Sequence, residues 1–320
     1  MIHMNASMPT SLTDGLDAII EMDAPLAGHT WFGVGGNADM LVRPKTEAAL
    51  KELVRRCHNE NKTVRVLGSG ANLLVLDEGV DGVVIKLDQP AFTQWTLRPN
   101  GESNKVLAPA GVDVLKLLNA CVREGLDGLC QMAGIPASMG GATRMNAGGK
   151  FGCIGDAIHS VATMNHRGEV RVHPHSAIQF SYRHSGLPQD LILWTLLQLN
   201  PGDPVALRQK MLEIYQFKKD SQPLAEHSAG CLFRNPVTSD GTRTSAGRLI
   251  DLAGMKGFTH GSAFVSAEHA NFVCAHKAGR ANDVLELARI IQDRVLQSQG
   301  VNIEMEVAVW GRSFQPKEKK

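Results

Sequence analysis

Apolar residues Leu50, Leu53, Val54 and Cys57 recur at helical spacing, so one face of a helix over 46–60 is expected to be buried. The chain then changes period. Val64–Leu67 reads as a short strand, with two more at 73–76 and 83–87 separated by the turn residues Asp77, Glu78 and Gly79. A second amphipathic helix is expected over 113–124, where Val114, Leu117, Leu118, Cys121 and Val122 form one stripe. The stretch 134–152 has no periodicity and reads as a long functional loop, because its glycines are interleaved with Ile135, Met139 and Met145. Short β-like segments follow between 157 and 199, chiefly 160–164 and 191–199. A third helix is expected over 281–297, with Val284, Leu287, Ala288, Ile291 and Val295 aligned, and then a strand over 303–310. The ends, 1–13 and 317–320, are polar and read as loose tails.

Composition narrows the class without naming it. In 320 residues, 43% hydrophobic content is enough for a substantial core, and 33 basic against 32 acidic residues give no global pull toward nucleic acid. The six cysteines show neither a CxxC pair nor metal-ligand spacing, and read as reduced thiols. The twelve histidines form no ligand pair at helical spacing, so no metal site is expected. His227 is taken as a loop histidine. Without an apolar run of about 20 residues or a basic start leading into an apolar block, the expected location is cytoplasmic. A monomer is expected.

Three glycine-rich segments, 33–36, 68–70 and 134–149, lie within one domain-sized stretch. Small residues let backbone N–H groups approach a phosphate, and Gly68–Asn72 directly follows a strand, so a pyrophosphate could sit there. Gly33-Val34-Gly35-Gly36-Asn37-Ala38 fits GxGxxA, but no strand precedes it and no helix with a ribose-binding acid follows. A Rossmann reading is therefore rejected. The three segments together fit one extended ligand between two lobes.

In order along the chain, three blocks carry a family likeness. They are Thr30-Trp31-Phe32-Gly33-Val34-Gly35-Gly36, Val66-Leu67-Gly68-Ser69-Gly70-Ala71-Asn72-Leu73-Leu74, and Ala133-Gly134-Ile135-Pro136-Ala137-Ser138-Met139-Gly140-Gly141-Ala142 with Met145-Asn146-Ala147-Gly148. These resemble the UDP-N-acetylenolpyruvoylglucosamine reductases of peptidoglycan precursor synthesis, and the resemblance runs over about residues 25–311. It implies an α+β fold, with a two-lobed FAD-binding domain of the vanillyl-alcohol-oxidase (PCMH) type followed by a smaller α+β substrate domain. The corresponding boundaries are a tail at 1–20, an FAD domain at 21–216 with lobes 21–90 and 91–216, a substrate domain at 217–312 and a tail at 313–320. The implied cofactor-binding residues are Gly35, Gly36, Leu67, Gly68, Ser69, Gly70, Ala71, Asn72, Leu73, Gly134, Ile135, Pro136, Ser138, Gly140, Gly141, Ala142, Asn146 and Gly148. Two positions depart from the family pattern: Ala71 replaces the usual serine, and Gly33 stands where an arginine is common.

By the same resemblance, NADPH reduces FAD, which then reduces the enolpyruvyl ether of UDP-N-acetylglucosamine. Such an addition needs a cation and a hydrogen-bond donor at the substrate carboxylate and an acid at the carbon that gains negative charge. The resemblance assigns these roles to Arg183, Glu306 and Cys231. Cys231 replaces the family's usual serine in Ser228-Ala229-Gly230-Cys231-Leu232-Phe233-Arg234-Asn235. A thiol, with an ordinary pKa of about 8.5, is the stronger acid, and it is expected to be open to oxidation and alkylation where accessible. Alternation along 303–307 leaves Glu304 and Glu306 equivalent; the family pattern selects Glu306, whose surroundings would have to favour its protonated form. Tyr182, Asn235, Arg243, Lys256 and Gln222 are the implied substrate-binding residues, with Lys218 and Lys219 near the mouth. Only 47 residues separate Arg183 from Cys231, so the chain resembles the shorter subclass lacking a tyrosine-bearing loop. An FAD oxidase acting on an alcohol or sugar, or a non-catalytic nucleotide-binding protein, are the alternatives. Copurifying flavin argues against the last, and sugar-dependent NADPH oxidation against the first.

Overall fold

The computed structural model describes residues 12–238 and 241–312. The first lobe comprises β1 (Ala18–Pro25), β2 (Asn37–Pro44), α1 (Glu47–Asn59), β3 (Val64–Leu67), β4 (Leu73–Val75) and β5 (Val80–Lys86). Its sheet has the order β1-β2-β5-β3, antiparallel between β1 and β2 and parallel elsewhere. Period-2 alternation gives the sheet two buried faces: Met40, Val42, Val83 and Ile85 point into the core under α1, while Leu41 and Val84 join a smaller core with Leu67 and Val75. Helix α1 forms as its stripe requires, with Leu50, Leu53, Val54 and Cys57 buried and the Thr46 hydroxyl accepting from the Ala49 N–H at 3.1 Å.

The second lobe contains α2 (Pro90–Thr93), β6 (Thr96–Leu97), β7 (Lys105–Pro109), α3 (Val114–Arg123), β8 (Leu126–Asp127), α4 (Met139–Met145), β9 (Gly148–Gly149), β10 (Gly152–Cys153), β11 (Ile158–Met164), β12 (Val170–Pro174), β13 (Leu191–Gln198), β14 (Asn200–Pro201) and α5 (Pro204–Lys219). Its main sheet is antiparallel, in the order β12-β11-β13-β7-β6. One continuous core runs from Met40 and Leu50 of the first lobe to Leu207 and Ile214 of α5, so the two lobes are packed as one body.

The third unit is formed by β15 (Ser228–Cys231), α6 (Ala246–Leu252), β16 (Thr259–His260), β17 (Ala263–Val265), β18 (Phe272–Ala275), α7 (Ala281–Gln299) and β19 (Ala308–Trp310). A four-stranded antiparallel sheet, β15-β18-β17-β16, lies against α7. The last strand leaves this unit and pairs in parallel with β4 of the first lobe.

Several expectations change here. Residues 18–20, expected in a tail, belong to β1 and pair with β2, and Leu12 is fully buried. The expected tails at 1–11 and 313–320 lie outside the described residues. The boundary expected at 216/217 falls inside α5, whose buried residues belong to the core of the second lobe. The stretch 134–152, expected as loop throughout, contains α4, whose N-cap Ser138 accepts from the Gly141 N–H at 3.3 Å. The strand expected over 303–310 is confined to Ala308–Trp310; before it, Met305 makes a single bridge to Phe233.

Candidate active site

A cavity of about 920 Å³ separates the lobes. The edge strand β3 supplies one wall through Val64, Arg65 and Val66; Ser138, Gly140, Leu191 and Ile192 supply the other. Among the expected cofactor residues, Leu67, Gly68, Ser69, Ser138, Gly140 and Gly141 line it. A Cβ at Gly68 would collide with the Ser138 hydroxyl, so the loop after β3 and the start of α4 meet at this wall. Within the described residues, the N–H groups of Gly68, Ser69 and Gly70 donate to no protein acceptor. A loop of open N–H donors facing a long cleft suits a dinucleotide pyrophosphate.

The remaining expected cofactor residues lie outside that lining. The Gly36 N–H donates to the Leu76 carbonyl at 3.0 Å, and a Cβ at Gly35 (φ +119°) would strike the Val75 backbone. These two glycines permit a close backbone approach. Asn72, beside Gly70, Ala71 and Leu73, sends its Nδ2 to the Glu306 carbonyl at 3.3 Å and accepts from the Ala308 N–H at 3.1 Å. Gly134, Ile135 and Pro136 lead toward α4, and Gly134 packs against Lys218 and Tyr215. Ala142 is buried in the core. Asn146, at φ +43°, donates to the Ser181 carbonyl at 3.0 Å and accepts from the Gly155 N–H at 3.0 Å. Gly148 presents its carbonyl to Arg183.

Outside that lining, but with Glu306 only two residues before Ala308 of the cavity wall, three distant chain segments converge. Arg183 sits at φ +57° in a tight turn closed by mutual hydrogen bonds of Ser181 and His184. This aims its guanidinium so that Nη1 donates to the Gly148 carbonyl at 2.7 Å while Nε donates to Glu306 Oε1 at 2.5 Å. The other carboxylate oxygen, Oε2, is buried without a hydrogen-bond partner among the described residues. Glu304, its alternative in sequence, is exposed. The Glu306 N–H donates to the Leu232 carbonyl at 2.7 Å, which brings the carboxylate beside Cys231. Burial, reinforced by Glu306, pushes the Cys231 thiol up to about 12, while Arg183 and the Asn271 carboxamide pull in the opposite direction. Little thiolate therefore forms near neutrality and the proton is retained, although the residue is only half-buried.

Tyr182 stands over this cluster, and the guanidinium of Arg243 lies 4.4 Å from its ring centroid. Arg243 also donates to the Asn235 carbonyl at 2.8 Å, while Asn235 Oδ1 accepts from the Ala246 N–H at 3.0 Å. These three expected substrate residues thus meet. Lys256 instead pairs with Asp251 at 3.0 Å, Gln222 lies in the turn after α5, and Lys219 is exposed. Lys218, expected at the mouth, is buried. Its ammonium donates to the carbonyls of Ala133 at 2.5 Å and Gln131 at 3.3 Å, and burial followed by the charge of Arg183 pulls its pKa down to about 8. Sequence reasoning missed Asn271, a buried amide held against Phe233; nothing but a polar residue heading an apolar strand marked it.

Comparison with known proteins agrees with this arrangement. An FAD binding domain model matches residues 38–173, and a model of the C-terminal domain of UDP-N-acetylenolpyruvoylglucosamine reductase matches residues 222–310. A UDP-N-acetylenolpyruvoylglucosamine reductase of Heliobacterium modesticaldum is 39% identical over 90% of this chain and 90% of its own. One from Moorella thermoacetica is 35% identical over 95% and 97%. The crystal structure of the reductase from Thermus caldophilus superposes with a TM-score of 0.77 at 37% identity, covering 92% of this chain and 99% of that one.

Proposed function

The chain belongs to the UDP-N-acetylenolpyruvoylglucosamine reductase family, and from that membership we infer that it reduces UDP-N-acetylglucosamine enolpyruvate to UDP-N-acetylmuramate for peptidoglycan synthesis. The observation that carries this reading is the meeting of Arg183, Cys231 and Glu306, which come from three separate segments, with Glu306 two residues before Ala308 of the cleft wall. With NADPH as reductant, FAD held in this cleft would supply the hydride chemistry. The open N–H groups at Gly68–Gly70 and the start of α4 are suited to its pyrophosphate.

The protein's own groups answer the charge that hydride addition creates. Arg183 is held by Gly148 and Glu306 beside the site where the substrate carboxylate would lie, and a planar guanidinium matches a carboxylate with two parallel bonds. Glu306 Oε1 accepts from Arg183, so the unpartnered Oε2 is the oxygen left through which Glu306 would meet the bound substrate. The Cys231 thiol gives its proton to the carbon next to that carboxylate: its S–H bond breaks, a C–H bond forms, and the electron pair stays on sulfur. Tyr182 and Arg243 offer an aromatic and cationic surface for the UDP portion, joined by Asn235. Lys256 and Gln222 are outer contacts in this reading.

No helix among the described residues is long and apolar enough to cross a membrane. A UDP-sugar substrate and a reduced nicotinamide coenzyme together support a cytoplasmic location. Anaerobic stopped-flow absorbance at the flavin band tests the function. NADPH should bleach the band, and UDP-N-acetylglucosamine enolpyruvate should restore it. Bleaching without recovery would favour an oxidase of the same fold acting on another substrate, and absence of flavin would refute the reading.

A further inference from the structure

Among the described residues, two buried side-chain polar atoms lack a hydrogen-bond partner, and both belong to one pair of neighbouring segments: Glu306 Oε2 and Arg234 Nε. The segments run antiparallel. The Glu306 N–H donates to the Leu232 carbonyl at 2.7 Å and the Arg234 N–H to the Glu304 carbonyl at 2.9 Å, on either side of the Phe233–Met305 bridge. Phe233 is buried in the core of the third unit and Met305 packs against it. Alternation therefore turns Arg234 to the opposite face, the one from which Glu306 reaches Arg183. Arg234 and Glu306 are diagonal neighbours on that face, about 7–8 Å apart at the backbone, a gap that a long side chain spans. Arg234 nevertheless pairs with neither glutamate. Glu306 is engaged by Arg183, and Glu304 is exposed. Among the described residues the half-buried Arg234 guanidinium has no acceptor and no ion-pair partner.

We propose that Arg234 is a binding residue for the diphosphate of the nucleotide-sugar, with its buried Nε–H donating to a phosphate oxygen. This rests on the reductase reading given above. A guanidinium stays charged at any pH the fold survives, and a buried donor without an acceptor is rare, so this one calls for an anion that the chain itself does not supply. Its place in the chain says which anion. Just before it stand Cys231 and the Leu232 carbonyl that holds Glu306, the groups at the substrate carboxylate. Just after it stands Asn235, whose N–H donates to the Tyr182 hydroxyl at 3.4 Å and whose carbonyl accepts from Arg243 at 2.8 Å, the groups taken for the UDP portion. Arg234 thus lies between the two ends of the substrate. The carboxylate end already has Arg183. A diphosphate carries more negative charge than the single guanidinium of Arg243 neutralises, and the planar fork of a second arginine matches its oxygens.

Isothermal titration of the FAD-loaded protein with UDP tests this contact. Arg234→Gln should weaken UDP binding by about tenfold to a hundredfold, the effect of losing one charge-assisted hydrogen bond. Arg234→Lys, which keeps the charge, should recover part of that loss. UDP-N-acetylmuramate adds a carboxylate to the same diphosphate and should weaken by the same factor as UDP. A loss confined to UDP-N-acetylmuramate would assign Arg234 to the carboxylate, and unchanged affinity for both ligands would assign it to neither; each result overturns the proposal. In the parent chain, the Nε–H resonance of Arg234 should move downfield in ¹⁵N–¹H spectra as UDP is added. A resonance that stays in place would overturn the proposal even if neither variant folds. If the parent chain binds UDP through Arg234 but leaves the enolpyruvyl sugar unreduced, the reductase reading fails while the diphosphate contact stands. If it reduces the sugar and Arg234→Gln binds UDP as tightly as the parent, the contact fails while the reading stands.

Discussion

Single side chains at the site act through what surrounds them. A cysteine in water would be partly ionised in mildly alkaline solution, whereas burial and Glu306 push Cys231 up to about 12, so its thiol keeps the proton there. Cys231→Ala should leave bleaching by NADPH intact and slow recovery with the enolpyruvyl sugar by roughly 10²–10⁴-fold, the usual contribution of a positioned acid. Cys231→Ser should recover a large part of that loss, as stopped-flow absorbance would show. Arg183 illustrates why charge alone is insufficient. Its Nε and Nη1 reach Glu306 and Gly148 at the same time, a span that a single ammonium cannot cover. Arg183→Lys is therefore expected to slow the sugar half-reaction by about 10–100-fold, corresponding to one lost charge-assisted hydrogen bond. An unchanged rate would remove Arg183 from the carboxylate site.

At the scale of elements, legibility followed the regularity of burial. Helices α1, α3 and α7 each place a continuous apolar stripe in a core, and their ends fall within two residues of expectation. Helix α5 escaped notice because its buried set is Leu207, Ile214 and Lys218, while Val205, Leu212, Tyr215 and Phe217 face solvent. Strand β1 exposes Ile19, Ile20 and Met22 in succession and so shows no alternation. Helix α4 has two glycines in seven residues, a composition against helix by propensity; its cap at Ser138 and burial of Met139, Ala142 and Thr143 outweigh that preference. One contact between elements has a measurable consequence. Asp77, in the turn after β4, accepts from the N–H groups of Ala281 at 2.8 Å and Asn282 at 3.2 Å, and thereby caps α7 from another unit. Asp77→Ala should lower unfolding free energy by about 1–2 kcal/mol, the ordinary worth of an N-cap. Urea denaturation of the parent and variant would show a midpoint shift at constant slope.

For the whole molecule, the thiols dominate the alkaline limit of stability. Burial pushes Cys57 up to about 11 and Cys121 and Cys274 up to about 12, and Cys231 joins them at about 12. Each folded-state value lies above that of the unfolded chain, near 9, so the folded state retains these protons longer. Their stabilisation is complete below about pH 9 and is lost as pH climbs toward 11–12. Lys218 has the opposite sign. Its pKa falls from 10.5 to about 8, so its contribution improves as pH rises from about 8 to 10.5. All six thiols and Tyr182 are raised against the two lowered amines Lys86 and Lys218, which predicts a net loss of stability above about pH 9. Thermal unfolding under reducing conditions at successive alkaline pH values should show the decline, and Cys121→Ala should flatten it. A transition temperature constant to about pH 11 would contradict this balance.

By itself the chain determined what depends on neighbours in sequence. The stripes of α1, α3 and α7, the strand before Gly68 and the collinear glycine motifs all follow from periodicity or short-range backbone need, and they carried the family and its reaction. Only the tertiary structure decided what depends on residues far apart. Pairing of β19 with β4 directs Glu306, rather than Glu304, toward Arg183 across 122 intervening residues. Packing beside that glutamate raises the thiol pKa of the half-buried Cys231, an effect set by residues far away in sequence. Lys218, read as a mouth residue, is drawn inside by the carbonyls of Ala133 and Gln131. Asn271 stayed hidden for the same reason: an amide's role is set by what it faces after folding, and periodicity along the chain does not encode that.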